Sequence, residues 1–230
     1  MSAPQAVTPQ VNRIQRNVLS RGERRLLNWL CHRLPRWVTP DMLTSLALVA
    51  AAAIFAGYAL SNAEPAWLWL AVAGYVVHWF GDSLDGSLAR FRRIERPRYG
   101  YFIDHSCDGI AILLILGGIG SSPYVRVDVA LFAVAAYLLL AVNTFLTAKV
   151  MGDFPLSHLG AGPTELRLLL IGLTVTMFAA GPSADALPGL SGFDLFVGGF
   201  ATILLAIFLV QTWRTGRVLS AQDNWRSREP

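Results

Sequence analysis

Two cysteines in 230 residues, Cys31 and Cys107, are too few to staple a chain of this length, which excludes a secreted disulfide scaffold. Charge is scarce too: 15% of residues are charged against 54% hydrophobic, and mean hydropathy is +0.47. That balance excludes a water-soluble globular domain and a dedicated nucleic-acid binder; no nucleic-acid partner is expected. The first forty residues are polar and basic and lack an apolar run, so no cleavable signal peptide is expected. No internal repeat is visible either. What the chain has in abundance is apolar runs of roughly 18 residues or more, each long enough as a helix to cross a hydrocarbon layer about 30 Å thick.

Six such spans are expected, at about 42–60, 66–82, 101–119, 126–148, 165–180 and 194–213. The fold class is therefore an all-α integral membrane protein of six transmembrane helices with an N-terminal amphipathic interfacial helix. Residues 1–38 form a cytoplasmic N-terminal segment, 39–219 the membrane domain and 220–230 a cytoplasmic tail; residues 1–12 and the tail from Ser220 read as mobile termini. An even number of spans puts both termini on one side. Arg13 to Arg36 precede span one, Arg90, Arg92, Arg93, Arg96 and Arg98 lie between spans two and three, and Lys149 and Arg167 flank the loop between spans four and five. Arg214, Arg217, Arg226 and Arg228 follow span six, while the opposite side carries only Arg126. The positive-inside bias thus assigns both termini to the cytoplasm, and span one acts as an uncleaved anchor.

Ser20 and Glu23 have capping-box spacing and lead into Leu26, Leu30 and Leu34, with Leu27 and Cys31 beside them. Arg24, Arg25, His32 and Arg33 are interleaved, and Trp29 suits the headgroup level. The segment reads as an amphipathic helix on the anionic leaflet, either an anchor or a wall over a cytoplasmic site.

The stretch Gly81 to Gly109, GDSLDGSLARFRRIERPRYGYFIDHSCDG, places four aspartates where spans two and three meet the interface. Carboxylates are expensive there. Asp82 and Asp85 are three apart and Asp104 and Asp108 four apart, so each pair shares a helix face. If the two spans are antiparallel neighbours joined by a short loop, the pairs converge, and a divalent cation relieves their repulsion. All-oxygen ligation favours Mg²⁺, Mn²⁺ or Ca²⁺ over zinc, since no cluster of His and Cys accompanies it. Gly86, Ala89 and Gly100 leave the adjoining face open; singly such residues serve close helix packing, but beside carboxylates and arginines they suit a metal-bound diphosphate.

Asp82-x-x-Asp85-Gly86-x-x-Ala89-Arg90, followed by Gly100-x-x-x-Asp104-x-x-x-Asp108, resembles the signature of the CDP-alcohol phosphotransferase family. Nine residues separate Arg90 from Gly100, one more than the commonest spacing, and the addition falls in the arginine-rich loop. The resemblance implies a homodimeric membrane enzyme of phospholipid synthesis, in a bacterial inner membrane with its active site facing the cytoplasm. It implies that Asp82, Asp85, Asp104 and Asp108 hold one or two Mg²⁺ or Mn²⁺ ions against the diphosphate of a CDP-linked donor. Gly86 and Ala89 would accommodate the cytidine, with Gly100, Asp85 and Arg90 beside it; Arg90 otherwise snorkels at the interface. An acceptor alcohol would attack the phosphoryl group distal to cytidine and release CMP, with Asp108 as candidate base.

Thr39-Pro40-Asp41-Met42-Leu43-Thr44 resembles the family's Thr-Pro-Asn-x-Leu-Thr at the start of span one, with Asp41 for the usual asparagine. Thr39 and Asp41 are candidate nucleotide contacts, although a cap followed by Pro needs no function. Two branches of the family remain open: phosphatidyl transfer from CDP-diacylglycerol to a small alcohol, and transfer of an amino-alcohol phosphate to diacylglycerol. Asp104-His105-x-Cys107-Asp108 and Gly162-Pro163-Thr164-Glu165 resemble the eukaryotic choline and ethanolamine phosphotransferases, which makes His105 a second candidate base and Glu165 a candidate substrate contact. Those enzymes carry further helices, so six spans pull the other way. Lys149 and Arg167 suit an acceptor phosphate, and topology alone also explains them. His78 and Asn143 read as satisfied packing contacts within spans two and four. An ion-coupled transporter is the alternative class, but its sites sit near the midplane between inverted repeats, and neither is evident here.

Overall fold

The structure, a computed structural model, describes residues 20–151, 162–182 and 185–226. Helices α1 (Ser20–Arg33), α2 (Pro40–Leu60), α3 (Leu68–Arg92), α4 (Pro97–Ser121), α5 (Val127–Met151), α6 (Pro163–Ala180) and α7 (Gly192–Arg226) account for nearly all of it. Five of these, α2, α4, α5, α6 and α7, are long and apolar enough to cross a membrane. This is the architecture of an all-α integral membrane protein. Helix α3 occupies the place of expected span two and runs ten residues past the expected end at 82, carrying Asp82, Asp85, Arg90 and Arg92 in its later turns.

Proline opens α2, α4 and α6, where its missing N–H costs no helical bond. Thr39 caps α2, its hydroxyl oxygen accepting from the Met42 N–H at 3.2 Å. Helix α2 then presents a stripe of small residues, Ala47, Ala50, Ala51 and Gly57, that brings α3 close. A Cβ on Gly57 would lie 2.6 Å from the Ala71 nitrogen, and one on Gly81 would lie 2.5 Å from the Leu43 carbonyl oxygen. Backbone contact of that kind gives dispersion contacts in a medium where no hydrophobic force drives helices together.

Helix α2 is the centre of the bundle, packing along both α3 and α4, while α5 packs on α4 and α7, and α6 on α3. Helices α3 and α4 are joined by the short connection 93–96, as expected, but scarcely touch along their lengths, because α2 packs between them and a gap separates their polar ends. Deep in the bundle, Tyr58 of α2 bonds both Tyr75 of α3 (3.2 Å) and Thr174 of α6 (2.6 Å), so three buried hydroxyls satisfy one another. Asn143 is also satisfied, donating to Thr212 at 2.8 Å.

Helix α1 lies against α3 with Leu27 and Cys31 buried on Leu84, Leu88, Val38 and Leu43. Leu26, expected on the inner face, points outward with Trp29, which carries Arg33 stacked at 4.2 Å. The Ser20 side chain, half of the expected capping box, lies outside the described residues. The other half, Glu23, has a different role: its Oε1 accepts from Trp79 Nε1 of α3 (3.0 Å) and Thr164 Oγ1 of α6 (2.7 Å).

At the opposite end a two-stranded hairpin, β1 (Asp185–Leu187) and β2 (Leu190–Ser191), departs from the purely helical expectation. Asp194 secures it, accepting from the Arg126 and Ser191 backbone N–H groups at 2.7 and 2.8 Å. Helix α7 continues through Ser220 to Arg226, so the expected mobile tail is helical over that stretch. Residues 1–12 lie outside the described residues.

Candidate active site

Asp82 projects from α3 and Asp104 and Asp108 from consecutive turns of α4, across the cleft that α2 holds open. One oxygen from each of the three lies within 4.8 Å of the others. Three carboxylates at that range repel unless cations intervene, and an all-oxygen donor set fits a hard divalent ion. Asp85 stands apart from this trio. It is buried, and its Oδ2 accepts from Thr44 Oγ1 of α2 at 2.6 Å. The Thr-Pro-Asp-x-Leu-Thr opening of α2 therefore reaches the acidic stretch through its last residue.

Thr39 is occupied as the α2 cap and Asp41 pairs with Arg96, whose guanidinium also stacks on Tyr99 at 4.2 Å. Gly86 is half-buried, and a Cβ there would meet the end of the Arg90 guanidinium at 3.3 Å. Arg90 folds back along its own helix toward Ser87 Oγ at 3.4 Å, covering the small-residue face of Gly86 and Ala89. Around Gly100 nothing lies within 4 Å of the added Cβ position.

His105 lies three residues before Asp108 on the same face of α4, with Nδ1 3.5 Å from Asp108 Oδ2 and the ring held between Tyr101 and Phe145 at 4.4 and 5.1 Å. It also lines a pocket of about 450 Å³ with Tyr101, Phe102, Ser106, Phe145 and Lys149, between the ends of α4 and α5. Glu165 accepts from the Gly162 N–H at 2.9 Å, capping α6. Little more than one turn of α6 is enough to bring Arg167 onto Asp82, with both side chains largely buried. His78 does not meet the expectation of a satisfied contact, because its buried Nδ1 has no hydrogen-bond partner among the described residues.

The arginine loop is more than a topological signal. Arg92 donates to four backbone carbonyls of the α1–α2 connection, those of Leu34 (3.1 Å), Pro35 (2.8 Å), Arg36 (3.3 Å) and Val38 (2.5 Å). Thr44, Glu23 and Arg92 have contacts around the site that sequence reasoning did not assign, having read them as part of a motif, a helix cap and a topological charge. Thr44 alone had a visible signal, as the last position of the α2 motif.

The family model for CDP-alcohol phosphatidyltransferase matches residues 37–214, which is most of the chain and all of the helices around the cleft. The chain belongs to that family. Among curated relatives of this CDP-alcohol phosphatidyltransferase-family chain is cholinephosphotransferase 1 of Danio rerio, 31% identical over 97 residues, covering 40% of this chain and 25% of the relative. The Xenopus laevis protein of the same name is 33% identical over 94 residues, covering 38% and 23%. That of Gallus gallus is 28% identical over 130 residues, covering 50% and 38%. The matches thus span well under half the length of these relatives.

Proposed function

We propose that this family member is a membrane-bound transferase of phospholipid synthesis, moving a substituted phosphate from a CDP-linked donor to an acceptor alcohol and releasing CMP. The observation that carries the reading is the convergence of Asp82, Asp104 and Asp108 from two helices that scarcely touch each other. Asp82, Asp104 and Asp108, with Asp85 beside them, would hold Mg²⁺ or Mn²⁺, which when bound supplies charge neutralisation for a diphosphate. Gly100 leaves room for the nucleotide, and Gly86 and Ala89 would do so once the flexible Arg90 guanidinium swings off their face to flank it.

The acceptor is a lipid alcohol of the diacylglycerol type, and the donor carries choline or ethanolamine phosphate. Supporting this are the cholinephosphotransferase relatives and the aromatic pocket that opens beside His105. An acceptor hydroxyl there gives its proton to the Asp108–His105 pair as its oxygen bonds to the phosphorus distal to cytidine. The bond from that phosphorus to the bridging oxygen breaks, and CMP leaves.

In this reading α3 is the sixth span: 25 residues of helix reach about 37 Å, and its charges face the cleft instead of lipid. The termini, the arginine loop and the site then face the cytoplasm, α1 lies at the interface, and the family's homodimer is the working assembly. Acids gathered at one end of the bundle argue against a midplane ion pathway.

The test is to incubate purified protein with CDP-choline, CDP-ethanolamine or CDP-diacylglycerol against diacylglycerol and a panel of small alcohols. CMP release that needs Mg²⁺ or Mn²⁺ and disappears in Asp108→Asn is expected, with phosphatidylcholine or phosphatidylethanolamine as product. Product from CDP-diacylglycerol would move the chain to the other branch, and ion uptake without CMP would end the enzymatic reading.

A further inference from the structure

The positive charge that the structure places on the aspartate trio is the chain's own. Arg167 Nη2 donates to Asp82 Oδ2, and the two side chains are only 12% and 20% exposed. The other terminal nitrogen, Nη1, is buried without a hydrogen-bond partner among the described residues. One turn of α3 from Asp82, toward the apolar middle of the bundle, lies His78. It is 5% exposed, and its Nδ1 is likewise buried and unpartnered. His78 lies within the electrostatic reach of both Arg167 and Asp82.

These two vacancies are complementary. A guanidinium has only donors, and a neutral imidazole with its proton on Nε2 offers a lone pair at Nδ1. Buried donors and acceptors left unmade are costly, so an unpartnered donor on Arg167 and an unpartnered acceptor on the neighbouring His78 point to a second position for that arginine. A divalent cation attracted to Asp82, Asp104 and Asp108 meets the guanidinium at the very carboxylate it needs. In a poorly screened cleft the two charges compete for that carboxylate.

We propose that Arg167 is a counter-ion with two seats: it neutralises Asp82 when the trio is without metal, and yields that carboxylate to a divalent cation by turning one α3 turn deeper onto His78 Nδ1. The inference rests on the reading of the trio as a metal site. Its consequence is that the fraction of molecules with Arg167 off Asp82 sets the apparent metal affinity, because only those are competent to bind.

Mn²⁺ binding to the purified full-length chain, read from the loss of the free-ion electron paramagnetic resonance signal, tests this without turnover. Arg167→Gln should tighten binding on the order of tenfold, since no cation then holds Asp82, whereas Arg167→Lys should stay near the parent protein. His78→Leu should weaken binding several-fold by removing the second seat, and should have no effect once Arg167 is glutamine. Unchanged or weaker binding in Arg167→Gln would overturn the proposal, as would a His78→Leu effect of equal size in both backgrounds. A parent protein that binds no Mn²⁺ at all would instead remove the metal site itself. Monodisperse gel filtration of each variant guards against loss of fold, and Arg167→Lys keeps the comparison meaningful if the neutral variant fails it.

Discussion

Thr44 donates its hydroxyl proton to Asp85 Oδ2 at 2.6 Å, joining the first turn of α2 to a carboxylate 41 positions later in the chain. This bond explains why Asp85 stands aside while Asp82, Asp104 and Asp108 gather. The carboxylate is oriented from α2, the helix that also sets the width of the cleft. Groups that orient a ligating carboxylate typically change metal affinity or activity by about 10–100-fold when removed. Thr44→Val should therefore lower metal-dependent CMP release by roughly tenfold, and Thr44→Ser should restore most of it. Equal activity in the valine and serine variants would show that Asp85 needs no orientation from α2.

Two glycines five residues apart on α3 should separate stability from binding. At Gly81 an added Cβ meets the Leu43 carbonyl oxygen at 2.5 Å and the Ala47 nitrogen at 2.8 Å, both backbone atoms that cannot move alone. Gly81→Ala is expected to destabilise by roughly 1–3 kcal/mol, read by denaturant or thermal unfolding in detergent. At Gly86 the nearest atom is the flexible end of Arg90 at 3.3 Å, so Gly86→Ala should leave unfolding almost unchanged. Its effect should fall on the cytidine donor, with KM raised about tenfold by the occupied space.

Much of the fold was legible because its strongest signals are local. Apolar runs located the helices, and Pro40 and Pro163 marked two starts by a mechanism confined to the first turn, whereas α4 opens at Pro97, four residues before its expected start. Helix ends were less visible. Hydropathy reports where lipid contact stops, whereas α3 and α7 continue into polar sequence, and nothing after Gly216 breaks α7 before Arg226. The trio followed from helical spacing, but Asp85 turned to a partner on another helix that spacing cannot reveal. Glu23 shows the same limit. Its offset from Ser20 is that of a local cap, yet the carboxylate serves Trp79 and Thr164 on two other helices.

That role of Glu23 predicts how Cys31 reacts. Cys31 is 2% exposed beneath α1, and burial pushes its thiol above the ordinary value, with Arg92 and Arg90 pulling more weakly the other way. A raised folded value means that the fold favours the protonated thiol. The resulting stability is complete below the unfolded thiol's value and is lost as pH rises through the folded one. Cys31 should accordingly resist maleimide at neutral pH. In a Cys107→Ala background, Glu23→Ala should speed its labelling by about tenfold, because α1 loses its bonds to α3 and α6 and opens more often. Labelling as slow as in the intact chain would mean that Leu27 and Leu34 dock α1 without the carboxylate.

Arg92 provides the hardest test of how the arginine-rich end of the bundle is held together. Its guanidinium collects four carbonyls from Leu34 to Val38, groups that the helices cannot satisfy because α1 has ended and α2 has not begun. Hydrogen bonds from a charged donor are stronger than neutral ones, and the planar fork serves several acceptors at once, which an ammonium cannot copy. Arg92→Ala should cost roughly 2 kcal/mol in unfolding experiments, discounted from the sum of four bonds because water reaches part of the site. Arg92→Lys should recover less than half of that loss, although it keeps the positive charge. Since the same connection leads into Thr39 and Thr44, metal-dependent CMP release should fall in both variants in step with stability. Full recovery by lysine would reduce Arg92 to a topological charge and leave the α1–α2 connection to be held by Val38 and Cys31 packing alone.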